Sequence, residues 1–569
     1  MTASKVKLYT AVLLAALILL IACISVMSAV PPVSRDALTH HLAVPKIWIE
    51  AGLFKELPSI PFSYYPMNLD LLYLLPLLWD NDIIPKYIHF SFALLTAFLI
   101  YRHLERQLGQ VYGLLGALFF LSIPIIVKLS TIVYVDLGLI CFSTAALLAL
   151  INWIENRYAT RYLIISALFC GLALGTKYNG LIVFFLMSCM VPLSYLRRHP
   201  GNGHEDRIRT QLKALGFGLL FMIVALVVFS PWMIKNLRMT GNPVYPLYNG
   251  LFHSNANDTR VETKPSEITA GRQKTDQPKS KWSNFAIRKM VYGESLIEIA
   301  LIPVRVFFEG VDDNPRHFDG RLNPFLLILP LCLIPLARRR HNSRHPAYWI
   351  LSSFAIAYLI FVFVKQDMRI RWIGPIIPPL VILGMYALAG MRQLAATTHK
   401  KWVPAVIQVL IIVSLVIMFA WNAVYIQTLF RKVDAIPYIL GRVDRDTYIA
   451  RFRPEYALIR HIDTHFSEEV LILGLFIGDR IYYFDRDIRL NKNVLFDAVT
   501  HAGSAEDIGR NLNRRGITHL LLRFDLTQSW ISRVFVDQEK TRLKTYFQKH
   551  VKPIAQNGGY GLFELSKVN

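Results

Sequence analysis

The stretch SRDALTHHLAVPKIW, residues 34–48, concentrates groups that can move protons directly after an apolar run. It carries one carboxylate, Asp36, and two imidazoles, His40 and His41. Such side chains serve as general acids and bases. Because the preceding run can cross a bilayer, we expect Asp36 at the membrane surface, where a lipid-linked substrate presents its headgroup. The alternative is that Ser34 or Asp36 only caps a surface helix.

The two histidines differ in their spacing from the carboxylate. On an α-helix, His40 would share the face of Asp36, because residues four apart are neighbours. His40 is therefore a candidate contact for a substrate, either a molecule that accepts a transferred group or a phosphate. His41 is interpreted as a surface histidine.

A further carboxylate lies within an apolar segment. Asp136, in YVDLGL, sits about four residues into a predicted span, where a charge is costly unless it is paired or hydrated. Asp136 is thus a site candidate or one half of an ion pair, with Lys128 or Lys177 as its partner.

The segment EGVDDNPRHFDGRLNP, residues 309–324, brings carboxylates and an imidazole together, among them Asp313 and His317. Such a set could bind a divalent cation, but the spacing matches no standard cation loop. Asp, Asn and Pro are also common turn residues. We favour a turn, with an acceptor or metal role left open, and we expect no cofactor.

The composition indicates the elements that must position these residues. The chain has 569 residues, of which 54% are hydrophobic, and its mean hydropathy is +0.38. This is too apolar for an ordinary soluble enzyme. Including two short stretches near 69–79 and 296–308 that could instead lie on the membrane surface, we predict about 11 to 13 transmembrane helices. The predicted spans are residues 8–30, 83–100, 111–128, 132–153, 162–175, 181–196, 215–233, 324–336, 348–364, 373–388 and 403–425.

The loop charges predict the orientation. Lys and Arg are concentrated in one alternating set of loops, which is therefore expected to be cytoplasmic, together with the N-terminus. The loops 31–82 and 236–322 then lie outside, as does everything after the last span. The polar segment 254–282 is interpreted as a mobile external loop, either a lid that admits an acceptor or a plain insertion.

The end of the chain has a different pattern. Strand-like segments such as VLILGLFIG alternate with helical ones such as EYALIRHIDTHF, which predicts a small α/β domain. We therefore divide the chain into a transmembrane catalytic domain, 1–428, and an external α/β domain, 429–569.

Charge and cysteine content exclude other classes. The formal net charge is +23, which beside membrane spans fits anionic lipid headgroups better than nucleic acid, and we find no nucleic-acid-binding motif. All five cysteines lie in apolar runs without a C-x-x-C pair, so neither disulfides nor a thiolate metal site is expected.

Several short motifs together resemble the GT-C superfamily of polytopic glycosyltransferases. They are RDAL after the first span, SYYPMNLDLLYLLPLLW, YVDLGL, LALGTKYNGLIVF, SPWMIKNLRMTGNPVYP and KQDMRIRWIGPIIPPL. The long external loop and the α/β tail fit the same architecture. The branch that the chain resembles most contains the protein O-mannosyltransferases and the lipid A aminoarabinose transferases.

The resemblance implies an inverting transfer of a sugar from a polyprenyl phosphate to an acceptor hydroxyl. It also implies that Asp36 is the catalytic acidic residue, because its position resembles that of the family's catalytic acid. A base must take the acceptor proton, whereas a lipid phosphate leaves well and needs mainly cationic stabilisation. Candidate phosphate ligands are Lys177, Lys365, Arg369 and Arg371.

Tyr64, Tyr65 and Tyr178, within the aromatic motifs, complete the set of candidates. The chain also departs from its relatives. Asp36 is flanked by Arg35 and Ala37 where the family often has an acidic pair, and YYPMNLD lacks a lysine. These differences affect the phosphate contacts and the identity of the sugar.

We therefore predict a glycosyltransferase of a bacterial-type inner membrane, in contact with membrane lipids, whose donor is a polyprenyl-phosphate sugar and whose acceptor is a hydroxyl of a lipid, glycan or protein. The alternatives are a transporter or flippase of lipid-linked saccharides, with charges such as Asp136 along its path, and a membrane-anchored binding or scaffold protein whose tail carries the function.

Overall fold

The computed structural model describes residues 3–52, 54–200, 204–252, 284–338, 345–398, 402–467, 470–486 and 488–568. The polar segment 254–282, interpreted as a lid or a plain insertion, lies outside the described residues. Within these ranges the protein is mostly helical, and its strands form a single small sheet near the C-terminus.

The helices confirm a multi-pass membrane protein. Within the described ranges, 8 helices are long and apolar enough to cross a membrane, and one more pair, Gln110–Ser122 and Pro124–Ser130, is long and apolar enough only when taken together and is bent by 68° at its break. Three shorter apolar helices are Asn68–Leu77, Thr160–Leu174 and Phe325–Leu336. The long helices are Ser4–Ser28, Ile84–Leu108, Asp136–Glu155, Gly180–Arg198, His204–Thr240, Pro346–Lys365, Ile370–Thr397 and Trp402–Val433.

Exposure of apolar side chains distinguishes the outer helices from the central ones. On Trp402–Val433, Val409 is 57% exposed and Val416 is 62% exposed, which suits contact with lipid tails rather than water. Asp136–Glu155 and Ile370–Thr397 are instead buried over most of their length. The core therefore surrounds these two helices, both of which begin near the candidate site.

One open alternative is resolved by element length. The stretch near 296–308 forms only Leu296–Ala300 and Ile302–Arg305, which are too short to span a bilayer. The predicted boundary at 428 falls inside Trp402–Val433, and the division into two domains stays a prediction.

Short elements fill the connections around the candidate site. A π-helix, Ala37–His41, precedes the helix Ala43–Ala51. The other short helices between spans are Pro61–Tyr64, Asn249–Phe252, Asn284–Met290 and Pro315–His317.

The predicted α/β fold of the C-terminal region is confirmed. Its five strands are β1 (Leu471–Leu475), β2 (Ile488–Arg489), β3 (Ile517–Arg523), β4 (Val551–Asn557) and β5 (Tyr560–Leu565). The sheet order is β2-β1-β3-β5-β4, with β1 parallel to β2 and β3 and with β5 antiparallel to β3 and β4. The accompanying helices are Ala435–Ile439, Arg445–Phe452, Glu455–His465, Lys492–Thr500, Ala505–Asn513, Phe524–Val534 and Asp537–His550.

One ion pair ties this C-terminal region to the membrane helices. Arg445 Nη2 lies 2.5 Å from the Oδ2 atom of Asp82, whose side chain is 1% exposed. Asp82 precedes the second span, so the pair connects the region to the start of that span. Removing one partner of a buried pair leaves the other charge without compensation.

We expect Arg445→Gln to lower the free energy of unfolding by about 2 kcal/mol, less than for a fully buried pair because Arg445 is partly exposed. Thermal unfolding in detergent measures this change. Arg451→Gln is the matched control, because the side chains of Arg451 and Asp434 are 56% and 39% exposed, and it should change the value by less than about 1 kcal/mol. Equal effects of the two variants would contradict the inference that the buried Asp82 carboxylate depends on the charge of Arg445.

Candidate functional site

The segment that carries Asp36 begins where the first span ends. The helix Ala3–Ser28 stops before Pro31 and Pro32, because proline lacks the amide hydrogen that continues a helix. The chain then forms the π-helix, in which the Leu42 amide donates to the Ala37 carbonyl at 2.9 Å. Because a π-turn is wider than an α-turn, side chains four and five positions apart share a face. Asp36, His40 and His41 therefore lie at one cavity.

Asp36 forms an ion pair with Arg371. Arg371 Nη1 donates to Asp36 Oδ2 at 2.5 Å, and the two side chains are 18% and 24% exposed. Burial alone would raise the pKa of Asp36, but the charge of Arg371 and its hydrogen bond hold that pKa well below the usual range. Among the described residues, the Asp36 side chain makes no capping hydrogen bond, and the buried Ser34 hydroxyl has no hydrogen-bond partner. The capping alternative is thus wrong.

A second carboxylate–cation pair lies nearby. Lys177, in the turn between Thr160–Leu174 and Gly180–Arg198, donates to Asp136 Oδ1 at 2.7 Å. Burial and the nearby charge of Arg371 lower the pKa of Lys177, although Asp136 opposes the shift. Lys177 rather than Lys128 is therefore the partner of Asp136, whose side chain is 2% exposed.

These groups surround one cavity of about 820 Å³, a volume typical of small-molecule sites. Its wall combines the π-helix, the aromatic-proline loop, the turn at Lys177 and the segment 365–372. Sequence-predicted residues that line it are Asp36, His40, Tyr65, Lys177, Tyr178, Lys365, Arg369 and Arg371. Asp136 is not part of the cavity wall, but its side chain is bonded to Lys177, which is.

The four predicted phosphate ligands have different partners. Arg369 lies 3.2 Å from Asp367 and 3.8 Å from Asp319, whereas Arg371 points to Asp36. The two arginines diverge because Arg369 directly precedes the 3-10 turn Ile370–Ile376, whereas Arg371 lies inside it. Lys365, at the end of Pro346–Lys365, is exposed and makes no ion pair with the described residues.

Three candidates lie away from the cavity wall. The Tyr64 hydroxyl donates to Glu56 at 2.7 Å. Asp313 pairs with Lys128 at 3.3 Å and Lys432 at 3.2 Å. His317 ends a 3-10 turn that the Asn314 side chain caps.

The structure therefore does not bring Asp313 or His317 to the site of Asp36. In the described part of the chain, no group of three His, Cys, Asp or Glu residues is arranged to hold a metal ion.

The interpretation of His41 as a surface residue is wrong. His41 is 7% exposed, and its Nδ1 atom lies 2.7 Å from Asp70 Oδ1. Asp70 is 1% exposed and lies in the first turn of Asn68–Leu77. Both residues line the cavity. The signal for this pair was Asp70 itself, because an acid in an apolar helix needs a partner.

The C-terminal region also reaches the cavity, which sequence reasoning missed. Asp479, Ile481 and Leu490 line its wall. Lys46, on the helix after the π-helix, donates to the carbonyls of Tyr482 and Phe484 at 3.2 Å each and to Asp485 Oδ1 at 2.8 Å.

Two further hydrogen bonds hold the segment that carries Asp36. The Tyr482 amide donates to the Leu38 carbonyl at 3.1 Å, and the Tyr483 hydroxyl donates to the Pro32 carbonyl at 2.8 Å. We call residues 478–486 the clamp segment, because it contacts the chain before, within and after the π-helix.

The fold and the site identify the protein as a polytopic membrane protein with a cavity bordered by paired carboxylates and cations. Residues 85–234 match the family model of dolichyl-phosphate-mannose-protein mannosyltransferases. None of the curated proteins matches the chain by sequence.

Among solved structures, the chain is similar to ArnT from Cupriavidus metallidurans bound to undecaprenyl phosphate, with a TM-score of 0.54, 13% identity and coverage of 99% of this chain and 98% of ArnT. ArnT in the apo state gives a TM-score of 0.53, 14% identity and the same coverage. An oligosaccharyltransferase from Archaeoglobus fulgidus gives 0.49 and 11% identity, covering 96% of this chain and 74% of that one. The family match and the ArnT fold confirm the resemblance to the GT-C superfamily.

Proposed function

We propose that the protein is an inverting glycosyltransferase that moves a sugar from a polyprenyl phosphate to an acceptor hydroxyl at the outer face of the membrane. The observation that carries this proposal is the cavity in which the Asp36–Arg371 pair lies beside Lys177. A base and fixed cations at one cavity are what such a transfer needs.

The two cations are well placed for a lipid phosphate. Arg371 is held by Asp36, and Lys177 is held by Asp136. A phosphate offers several strong acceptor oxygens, and its hydrogen bonds to Arg and Lys are charge-assisted. The donor phosphate therefore competes for both cations, and the exposed Lys365 supplies a third at the rim.

Asp36 takes the acceptor proton in this scheme. The acceptor oxygen forms a bond to the anomeric carbon, and the bond from that carbon to the phosphate oxygen breaks with its electron pair on the phosphate. The proton moves to Asp36. Because the charge of Arg371 holds the pKa of Asp36 down, a shift of Arg371 towards the phosphate makes Asp36 a stronger base once the donor has bound.

The comparisons support the donor class. ArnT, whose fold this chain shares, was solved bound to undecaprenyl phosphate, and the matched family model is named for dolichyl-phosphate-mannose enzymes. We further propose a bacterial-type inner membrane, a cytoplasmic N-terminus and a periplasmic C-terminal region, from the distribution of Lys and Arg among the loops.

We expect the purified protein in lipid to bind undecaprenyl phosphate, and Arg371→Gln to weaken that binding about 10- to 100-fold, because a charge-assisted hydrogen bond contributes about 1.5–3 kcal/mol. Arg451→Gln is the matched control, because neither Arg451 nor its partner Asp434 lines the cavity. Binding is measured by titration with undecaprenyl phosphate.

Turnover distinguishes the transferase from the transporter. We expect cleavage of at least one undecaprenyl-phosphate sugar from a panel of glucose, mannose, galactose, arabinose and 4-amino-4-deoxyarabinose donors. Movement of intact donors across proteoliposomes without cleavage would establish a flippase instead. Failure to bind undecaprenyl phosphate would contradict both functions.

A further inference from the structure

His41 has the features of a ligand-binding side chain that the transfer scheme does not use. It lines the cavity and is 7% exposed. Its Nδ1 atom is bonded to Asp70, and its Nε2 atom has no hydrogen-bond partner among the described residues. Although the residue is largely buried, Nε2 is not among the fully enclosed polar atoms, so a ligand in the cavity can reach this nitrogen and satisfy it.

Asp70 determines what the free nitrogen can do. A carboxylate only accepts hydrogen bonds, so the Nδ1 atom of His41 carries a hydrogen, and in the neutral ring Nε2 is an acceptor. The ligand group that fits Nε2 is therefore a donor such as a hydroxyl. Because Asp70 is 1% exposed and lies on a different helix from His41, it also fixes the orientation of the ring.

The π-helix determines how far His41 lies from Asp36, the proposed base. His41 follows Asp36 by one wide turn, so the two side chains face the same part of the cavity. In the proposed transfer, Asp36 faces the acceptor hydroxyl next to the anomeric carbon. A hydroxyl of the transferred sugar can then reach His41, and the sugar hydroxyl nearest the anomeric carbon is the one at C2.

An aromatic ring completes the subsite. Phe62 stacks on His40 with ring centroids 4.5 Å apart, is 43% exposed and lines the cavity. Sugar-sized sites combine such apolar faces with a few placed polar groups. Phe62 thus offers a face for a sugar ring beside the imidazole.

We propose that His41, held by Asp70, accepts a hydrogen bond from the C2 hydroxyl of the transferred sugar and so selects donors that carry this hydroxyl. The assignment rests on the proposed transferase function. It also predicts which kinetic parameter changes. Positive charge that develops at the anomeric carbon strengthens this hydrogen bond in the transition state. The preference for the hydroxylated donor should therefore affect kcat more than KM.

The test compares the best donor of the undecaprenyl-phosphate panel with its 2-deoxy analogue. We expect the wild type to favour the hydroxylated donor about 10- to 100-fold. Asp70→Asn keeps every heavy-atom position, but its amide can donate to Nδ1 and place the hydrogen on Nε2. This variant, and His41→Leu, should reduce the preference to less than about threefold.

His103→Leu is the matched control, because His103 is a partly buried histidine bonded to the Tyr386 hydroxyl at 2.8 Å, away from the cavity wall. It should retain the full preference for the hydroxylated donor. Titration with undecaprenyl phosphate reports whether each variant is folded and still holds the lipid phosphate.

Two results would overturn the assignment while leaving the transferase intact: equal rates of the wild type with both donors, or variants that slow both donors equally and keep the preference. Cleavage of none of the donors by the wild type would overturn the proposed function, and the assignment with it.

Discussion

Asp36→Asn is expected to lower the transfer rate about 10²- to 10⁴-fold, the range associated with a general base. The amide keeps the shape of the side chain but cannot take the acceptor proton. Binding should respond differently. Arg371 loses the carboxylate that holds it at 2.5 Å, so undecaprenyl phosphate should bind as tightly as in the wild type or more tightly. Donor cleavage and lipid titration measure the two effects separately.

The control for this variant is Asp434→Asn, another carboxyl-to-amide change in an ion pair, at an exposed position. It should leave transfer and binding unchanged. Full transfer activity in folded Asp36→Asn protein would remove Asp36 from the role of base and leave it only as the partner of Arg371.

Lys177→Met is expected to give the largest loss of stability. It leaves the Asp136 carboxylate, 2% exposed, without the cation that compensates it, and breaking such a buried pair costs about 3–5 kcal/mol. The double variant Lys177→Met/Asp136→Asn removes both charges and should recover most of that loss. Thermal unfolding in detergent measures both variants.

The double variant also separates stability from function. If Lys177 binds the donor phosphate, undecaprenyl phosphate should bind weakly to the single and the double variant alike, although only the single variant is unstable. A double variant that is as unstable as the single one would mean that the pair with Asp136 is not what stabilises this turn.

Much of the fold could be predicted because long apolar runs reflect the thickness of the bilayer directly. The site candidates Asp36, Lys177 and Arg371, which meet at one cavity, came from short motifs that resemble a known superfamily. Their meeting could not be derived from spacing, because Asp36 and Arg371 are 335 residues apart.

Other parts of the site could not be predicted from the sequence pattern. A π-turn differs from an α-turn by a single residue, so the periodicity around His41 predicted the wrong face. Asp70 was visible only as an interruption of an apolar stretch. The contact between Lys46 and Asp485 joins residues 439 positions apart, and neither has a sequence signature that points to the other.

The clamp segment is synthesised long after the π-helix that it contacts. Ribosomes make the π-helix and its carboxylate early and the residues that hold them near the end of the chain, and domains made first fold first. The membrane helices can therefore assemble around an incomplete site. The clamp segment then adds its contacts to Lys46, Leu38 and Pro32, so we expect a chain interrupted before that point to insert with Asp36 held by Arg371 but without these contacts.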